Sequence, residues 1–368
     1  MNTYKKHIFN DFNEDLWSHL SKSSKPILIY GMGNGADKII SVLEKYSIPY
    51  MDVFASDGFV RGHSYKGKVV ISYSDAIQKY GNDVIILLSF GSSLPNVMDL
   101  MYELDKKHEF YAPDVPVCGT ALFNEKFFDE NIERLKFARE LFYDDTSKDV
   151  FDNVIRYKLT GKLSYLKKTE FSESDCNELL NTDKYQSYFD LGAYNGDTIR
   201  KYLDACPNLK RIYAFEPDNR NFKKLSRYCE SEERASINAF NYASWSANEL
   251  LTFSSSGNRN SSHNATASFQ TKTIEIEGKR PDSITKSVDF IKYDVEGAEY
   301  NAILGSEDII SISCPDLLVS MYHKSEDLFE LPTLISSMQP KYKLYLRRLP
   351  YIPAWDLNLY AVKNEKSE

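Results

Sequence analysis

Tyr188-Phe-Asp-Leu-Gly-Ala-Tyr-Asn-Gly-Asp-Thr198 is the stretch that decides the fold. Tyr188–Leu191 is a short apolar run that reads as a strand. Gly192 and Gly196 follow in a turn, and a helix is expected to open near Asp197 and Thr198. Glycine lets backbone come close to a ligand with no Cβ in the way. The first N–H groups of the helix have no partner within it and are free to donate. Such a loop lies outside the carboxyl end of a strand, where open α/β sheets bind ligands.

Reading downstream, Arg211-Ile-Tyr-Ala-Phe-Glu-Pro-Asp218 is the next strand, and Glu216 ends it. An acid at that point can accept hydrogen bonds from ribose hydroxyls. Asp190 and Asp197 make the glycine turn acidic, so a pyrophosphate would be repelled. A cationic adenosyl cofactor with an amino-acid tail would be held, which points to S-adenosylmethionine over a dinucleotide. Phe290-Ile-Lys-Tyr-Asp-Val-Glu-Gly-Ala-Glu299 places Asp294, Glu296 and Glu299 just past another apolar strand. Acids there can orient cofactor or acceptor, or act as a base. Glu299 alone reads as a carboxylate complementing a helix N-terminus.

Further strands are expected at Ser236–Phe240, Leu317–Met321, Lys343–Leu349 and Leu357–Val362. Pro350 and Pro353 part the last two, which predicts a hairpin-like return and a parallel sheet ending in an antiparallel pair. LLTFSS and KTIEIEG read as two more strands. They flank SSSGNRNSSHNATAS, which is a surface loop or a lid. The sequons at Asn260 and Asn264 fall there and are taken as accidental.

Upstream, residues 120–185 read as helical. FNEKFFDENIERLKFARELF sets Phe127, Ile132, Leu135, Phe137, Ala138, Leu141 and Phe142 at helical spacing. Before them, strands at Pro26–Tyr30, Tyr50–Phe54, Lys68–Ile71 and Val84–Ser89 alternate with a helix carrying Ile39, Ile40, Leu43 and Tyr46. The expected fold class is α/β with two Rossmann-like domains. Residues 1–115 form the first, 116–184 a helical connector, and 185–368 the second. In the first, Gly31, Gly33 and Ala36 fit a dinucleotide-type glycine pattern, with Asp57 as ribose partner. They mark a candidate nucleotide site; packing or dimerisation is the plainer use of that unit.

The bulk numbers exclude several classes. The 368 residues suffice for two domains, and 26 Tyr with 21 Phe argue against disorder. A net charge of −8 disfavours a nucleic-acid binder. Cys118, Cys176, Cys206, Cys229 and Cys314 form no Cys-x-x-Cys pair and fit buried thiols in a cytoplasmic protein. MNTYKKHIFNDFNEDLW lacks the apolar centre of a signal peptide, and no run is long enough to span a membrane. The His residues show no metal-binding spacing, so no metal is expected.

DLGAYNGDT, YAFEPDNRNF and IKYDVEGAEYNAILG resemble the motifs of FkbM-type methyltransferases. The resemblance extends to Ser320–Leu328, Tyr345–Arg348 and Trp355–Tyr360, and covers about residues 185–363. It implies a class I methyltransferase fold, S-adenosylmethionine as donor, and O-methylation of sugars or other natural products. It also implies cofactor contacts at Asp190, Gly192, Ala193, Asn195, Gly196, Asp197 and Thr198. Glu216 would hold the ribose, with Asn219 in support; Asn241, Tyr242 and Ala243 would lie near the adenine. Asp294 and Glu296 would face the reacting centre. A His expected in the final strand is replaced by Arg348.

Transfer to a hydroxyl calls for a general base. His323, at the carboxyl end of DLLVSMY, is the first candidate and Asp294 the second. Lys341, Lys343 and Arg347 alternate along one strand and could meet a phosphate on the acceptor. The leading reading is an S-adenosylmethionine-dependent methyltransferase of a small-molecule or sugar acceptor, nucleotide-linked as one option, in polysaccharide or natural-product biosynthesis. A homodimer is a further option. The alternatives are N-methylation, a non-sugar acceptor, a nucleotide-sugar-binding module, or a nicotinamide-dependent enzyme run by the first domain. For the last, Tyr4, Tyr46, Tyr65 and Tyr73 all lack a Lys four residues on.

Overall fold

The computed structural model describes residues 2–255 and 272–363. The chain opens with α1 (Thr3–Ile8) and α2 (Leu16–Lys22), then β1 (Ile27–Tyr30), α3 (Asn34–Lys45) and β2 (Asp52–Ala55). A small hairpin, β3 (Ser64–Tyr65) and β4 (Lys68–Val69), leads to β5 (Ile71–Ser72), α4 (Tyr73–Tyr80), β6 (Ile85–Leu88), α5 (Pro95–Lys107) and β7 (Glu109–Tyr111). Their sheet runs β5-β2-β1-β6-β7 and is parallel throughout. β1 and β6 are buried along their whole length, as strands covered on both faces must be. The expected element at Lys68–Ile71 splits into β4 and β5 around Val70.

Four helices follow: α6 (Glu125–Leu141), α7 (Asp145–Thr160), α8 (Leu163–Lys167) and α9 (Glu173–Asn177). Asn124 and Asp144 cap α6 and α7 by accepting from Phe127 N and Ser147 N. Gly161 ends α7 in the left-handed conformation, φ 68°. On α6 the buried face is Phe128, Leu135 and Ala138; Phe137, assigned to that face by spacing, is turned to solvent. α6 and α7 bury Leu135, Phe151, Val154 and Ile155 in one core with Phe189, Leu191, Ile291 and Leu359 of the second sheet.

That second sheet is built from β8 (Ser187–Leu191), α10 (Asp197–Ala205), β9 (Arg211–Phe215), α11 (Asn219–Ser231) and β10 (Ser236–Phe240). Next come β11 (Ala243–Ser244), β12 (Glu249–Ser255) and β13 (Lys272–Lys279), which form a small side sheet. The chain then supplies β14 (Phe290–Tyr293), α12 (Glu299–Leu304), α13 (Glu307–Ser313), β15 (Asp316–Ser320), α14 (Asp327–Met338), β16 (Tyr342–Arg348) and β17 (Leu357–Lys363). The order is β10-β9-β8-β14-β15-β17-β16, with β17 alone running against the direction of the other strands. The strand order reverses between β8 and β14, where such sheets bind ligands. The loop read as a lid and the sequons at Asn260 and Asn264 lie outside the described residues. Among the described residues, no helix is long and apolar enough to cross a membrane.

The carboxyl edge of the first sheet meets that of the second. Ser92, past β6, pairs backbone to backbone with Ile352 in the β16–β17 hairpin, at 2.9 and 3.1 Å.

Candidate functional site

The turn after β8 is fixed by its own backbone. Gly192 N and Ala193 N both donate to Phe215 O, at 3.0 and 2.9 Å. Gly192 has φ 88°, and a Cβ there would lie 1.9 Å from Asp294 O, so only glycine lets the turn touch the β14 end. Tyr194 N donates to Glu216 Oε2 and Asp218 N to Glu216 Oε1, both at 2.8 Å. Burial pushes the Glu216 carboxyl up to about 7, against the pull of those two N–H groups. Asp190 is fully buried and neither of its oxygens makes a hydrogen bond; Asn195 Oδ1 is likewise buried and unpartnered. Unpaired buried acceptors are costly, so their presence marks a place where a donor is expected. Gly196 caps α10 at φ 84°, and Asp197 Oδ1 accepts from Thr198 N at the helix start.

A chain of alternating charge runs from this turn across the sheet edge. Lys292 stands opposite Asp190 in the β8–β14 register. Its Nζ lies 3.5 Å from Asp190 Oδ1 and 3.5 Å from Asp294 Oδ2. Beyond Asp294, His323 Nε2 sits 3.7 Å from Asp294 Oδ1 and 3.6 Å from Glu296 Oε2. On its other side, His323 Nδ1 lies 2.9 Å from Glu299 Oε1, off the line of a good hydrogen bond. Burial disfavours a charged imidazole, yet Glu299, Asp294 and Glu296 together raise its pKa to about 10. Burial raises Asp190; Lys292 and His323 outweigh partial burial at Asp294 and hold it below the usual carboxylate range. His323 is 1% exposed, whereas the Asp294 side chain is 32% exposed and that of Glu296 48%. The solvent-facing groups of this cluster are therefore the two carboxylates, with the imidazole behind them. Tyr322 Oη donates to Asp294 Oδ1 at 3.3 Å.

Residues 190–348 match the family model described as Methyltransferase FkbM domain. Over that span the chain is similar to the FkbM methyltransferase domain. On that match it is a methyltransferase of the S-adenosylmethionine-dependent class. A crystal structure of Methyltransferase FkbM from Methylobacillus flagellatus KT is similar over 98% of this chain and 94% of its own, at 20% identity and a TM-score of 0.69. That likeness shows a shared fold across both sheets. Aeropyrum pernix fibrillarin, in complex with natively bound S-adenosyl-L-methionine, covers 50% of this chain and 69% of its own, at 12% identity and a TM-score of 0.33. An rRNA methylase from Streptococcus thermophilus covers 52% and 95%, at 13% identity and a TM-score of 0.34. No curated protein matches the chain.

Within residues 190–348 the residues singled out by sequence take the following places. Asn219 is exposed as the first residue of α11; the residue supporting the Glu216 loop is Asn241, whose Nδ2 donates to Glu216 O and Pro217 O. Tyr242 packs edge-on to Phe215 and stacks with Phe240, and Ala243 is buried. Arg347 is buried against Asp144 at 2.6 Å and donates to Ser147 Oγ, so it does not join a phosphate-binding row. Arg348 is fully buried and donates to Thr169, Leu166 O and Tyr351 O, a structural cation in place of the expected His. Glu299, read as a helix-dipole acid, does open α12, and it is also fully buried and takes Val295 N at 2.9 Å.

In the first sheet the four candidates sit in different surroundings. Ala36 is buried, and Asp57 is occupied by Ser74 N and Oγ at 3.0 and 2.6 Å. At Gly31 (φ 108°) a Cβ would meet Phe90 at 2.6 Å, whereas Gly33 (φ 98°) faces open space. Gly35, outside the glycine pattern, is the close-packing residue: a Cβ there would lie 2.1 Å from Ser89 O.

Asp294, Glu299 and His323 offer donor atoms within 4.8 Å of one another, a set able to hold a divalent cation. Only the neutral imidazole ligates, so an ion there would have to displace the proton that the three surrounding acids favour. Sequence reasoning missed Lys292. The signal was present: a lysine inside Phe290-Ile-Lys-Tyr293 is foreign to a parallel strand buried on both faces.

Proposed function

We propose that this enzyme holds S-adenosylmethionine at the β8–β9 edge and O-methylates a hydroxyl of a sugar or similar polyol. The carrying observation is the fully buried Asp190 carboxylate beside the glycine turn, whose oxygens make no hydrogen bond although Lys292 Nζ lies 3.5 Å from Oδ1. They suit the ammonium of the cofactor's amino-acid tail, Asn195 Oδ1 suits a second donor, and Glu216 retains a free lone pair on each oxygen for ribose hydroxyls. When bound, the cofactor would supply a methyl group on a sulfonium sulfur, its C–S bond breaking to leave S-adenosylhomocysteine as the acceptor's C–O bond forms.

In this reading the acceptor hydroxyl hydrogen-bonds to Asp294, which takes its proton as the new C–O bond forms. A carboxylate of low basicity suffices, because an alkylated hydroxyl oxygen is a far stronger acid than the hydroxyl itself. Lys292 and His323 keep Asp294 ionised and oriented. His323 is a positioning residue here, since it is enclosed and its charged ring has no lone pair to receive a proton. Tyr351 and Trp355, with ring centroids 5.3 Å apart on the β16–β17 hairpin, add aromatic surface at the same edge. Aromatic faces with a few convergent polar groups suit a sugar ring.

The test is labelled-methyl transfer to a panel of methyl glycosides and nucleotide sugars. Asp294→Asn should lower kcat by about 10²–10⁴-fold, the usual worth of a general base. S-adenosylhomocysteine affinity should stay within a few-fold. Unchanged turnover in that variant would remove Asp294 from the role.

A further inference from the structure

Glu296 sits in a backbone conformation that side-chain-bearing residues avoid, φ 52°, and Gly297 follows at φ 89°. Strain of this kind persists only where surrounding structure imposes it. Here the imposing element comes from outside residues 190–348. Cys118, in the segment between β7 and α6, donates from Sγ to Glu296 O at 3.2 Å. Gly297 lies flat on the same residue: a Cβ there would meet Cys118 Cβ at 2.8 Å. Cys118 N donates to His323 O at 2.8 Å, so one residue grips both acid- and histidine-bearing loops.

That segment is in turn tied to the first sheet's helix. Lys38 of α3 donates from Nζ to Pro116 O at 2.8 Å and Val117 O at 2.7 Å, the two residues preceding Cys118. Burial lowers the Lys38 pKa, while the Glu296 carboxylate lies near enough to favour its charge. We propose that Lys38 is a positioning residue of the methyl-transfer site, holding the Glu296 and His323 loops through Pro116–Cys118. The first domain then serves as the back wall of the reaction centre. The proposal rests on the reading that Asp294, Glu296 and His323 surround the acceptor, but its test does not depend on an acceptor being known.

Amide hydrogen exchange on the full-length protein should compare wild type, Lys38→Met and Lys38→Arg. In Lys38→Met, the amides of Cys118 and of residues 295–298 and 322–325 should exchange tenfold or more faster. The β8, β9 and β14 amides and the S-adenosylhomocysteine affinity should be unchanged. Lys38→Arg, which can still donate to two carbonyls, should restore slow exchange. With the best acceptor of the panel, Lys38→Met should lose tenfold or more in kcat, recovered by Lys38→Arg. Unaltered exchange in those two loops overturns the proposal, as does faster exchange spread evenly through the first sheet. A clean Lys38 result together with an active Asp294→Asn would instead overturn the base assignment alone.

Discussion

At the scale of single residues, the site is a contest between burial and charge pairing. Glu216 loses that contest when no ligand is bound, and its carboxyl titrates at about 7. Ribose hydroxyls donate, so they favour the ionised form and lower its pKa. The sign then follows: below pH 7 binding must expel a proton, and above pH 7 it need not. S-adenosylhomocysteine affinity should rise about tenfold from pH 6 to pH 8, because the ionised fraction climbs from about one-tenth to about nine-tenths. Calorimetry at both pH values checks this, and Glu216→Gln should flatten the slope. Several of these residues were legible in the sequence, because glycines and acids at strand ends carry their chemistry in their spacing. Lys292 and Glu299 were harder to see. Their roles come from neighbours on other strands and loops, Asp190 for the first and His323 for the second.

At the scale of elements, most strands were readable as apolar runs, since burial on both faces leaves little choice of residue. β7 escaped notice because it is three residues long and begins with Glu109. Phe137 misled because α6 is only partly covered, and spacing alone cannot say which stripe faces inward. The join between α7 and β16 could not be foreseen at all. Asp144 caps α7 through Ser147 N and also grips Arg347 on β16. Asp144→Ala removes the cap, worth about 1 kcal/mol, and strands a buried guanidinium. A loss of about 2–4 kcal/mol in unfolding free energy is expected from urea titration. A loss under about 0.5 kcal/mol would mean that solvent, not Asp144, satisfies Arg347.

At the scale of the whole molecule, the helices between the two sheets act as a layer over the second sheet. Phe128, Leu135, Phe151 and Ile155 share its core. We propose that the divisions at residues 115 and 184 are divisions of chain and not of packing. Residues 185–368 expressed alone should then bind hydrophobic dye and lack a cooperative thermal transition, whereas residues 116–368 should regain most of it. The outline of two α/β units was legible from strand–helix alternation. Which faces they cover, and that their carboxyl edges meet at Ser92 and Ile352, depends on contacts far apart in sequence.

The most direct measurement is calorimetric titration of the full-length protein with S-adenosylhomocysteine and, separately, with NADH. One S-adenosylhomocysteine per chain is expected, with binding lost in Asp190→Ala and no heat from NADH. Saturable NADH binding that Asp190→Ala abolishes, or S-adenosylhomocysteine affinity that this variant leaves intact, would contradict the cradle at the end of β8.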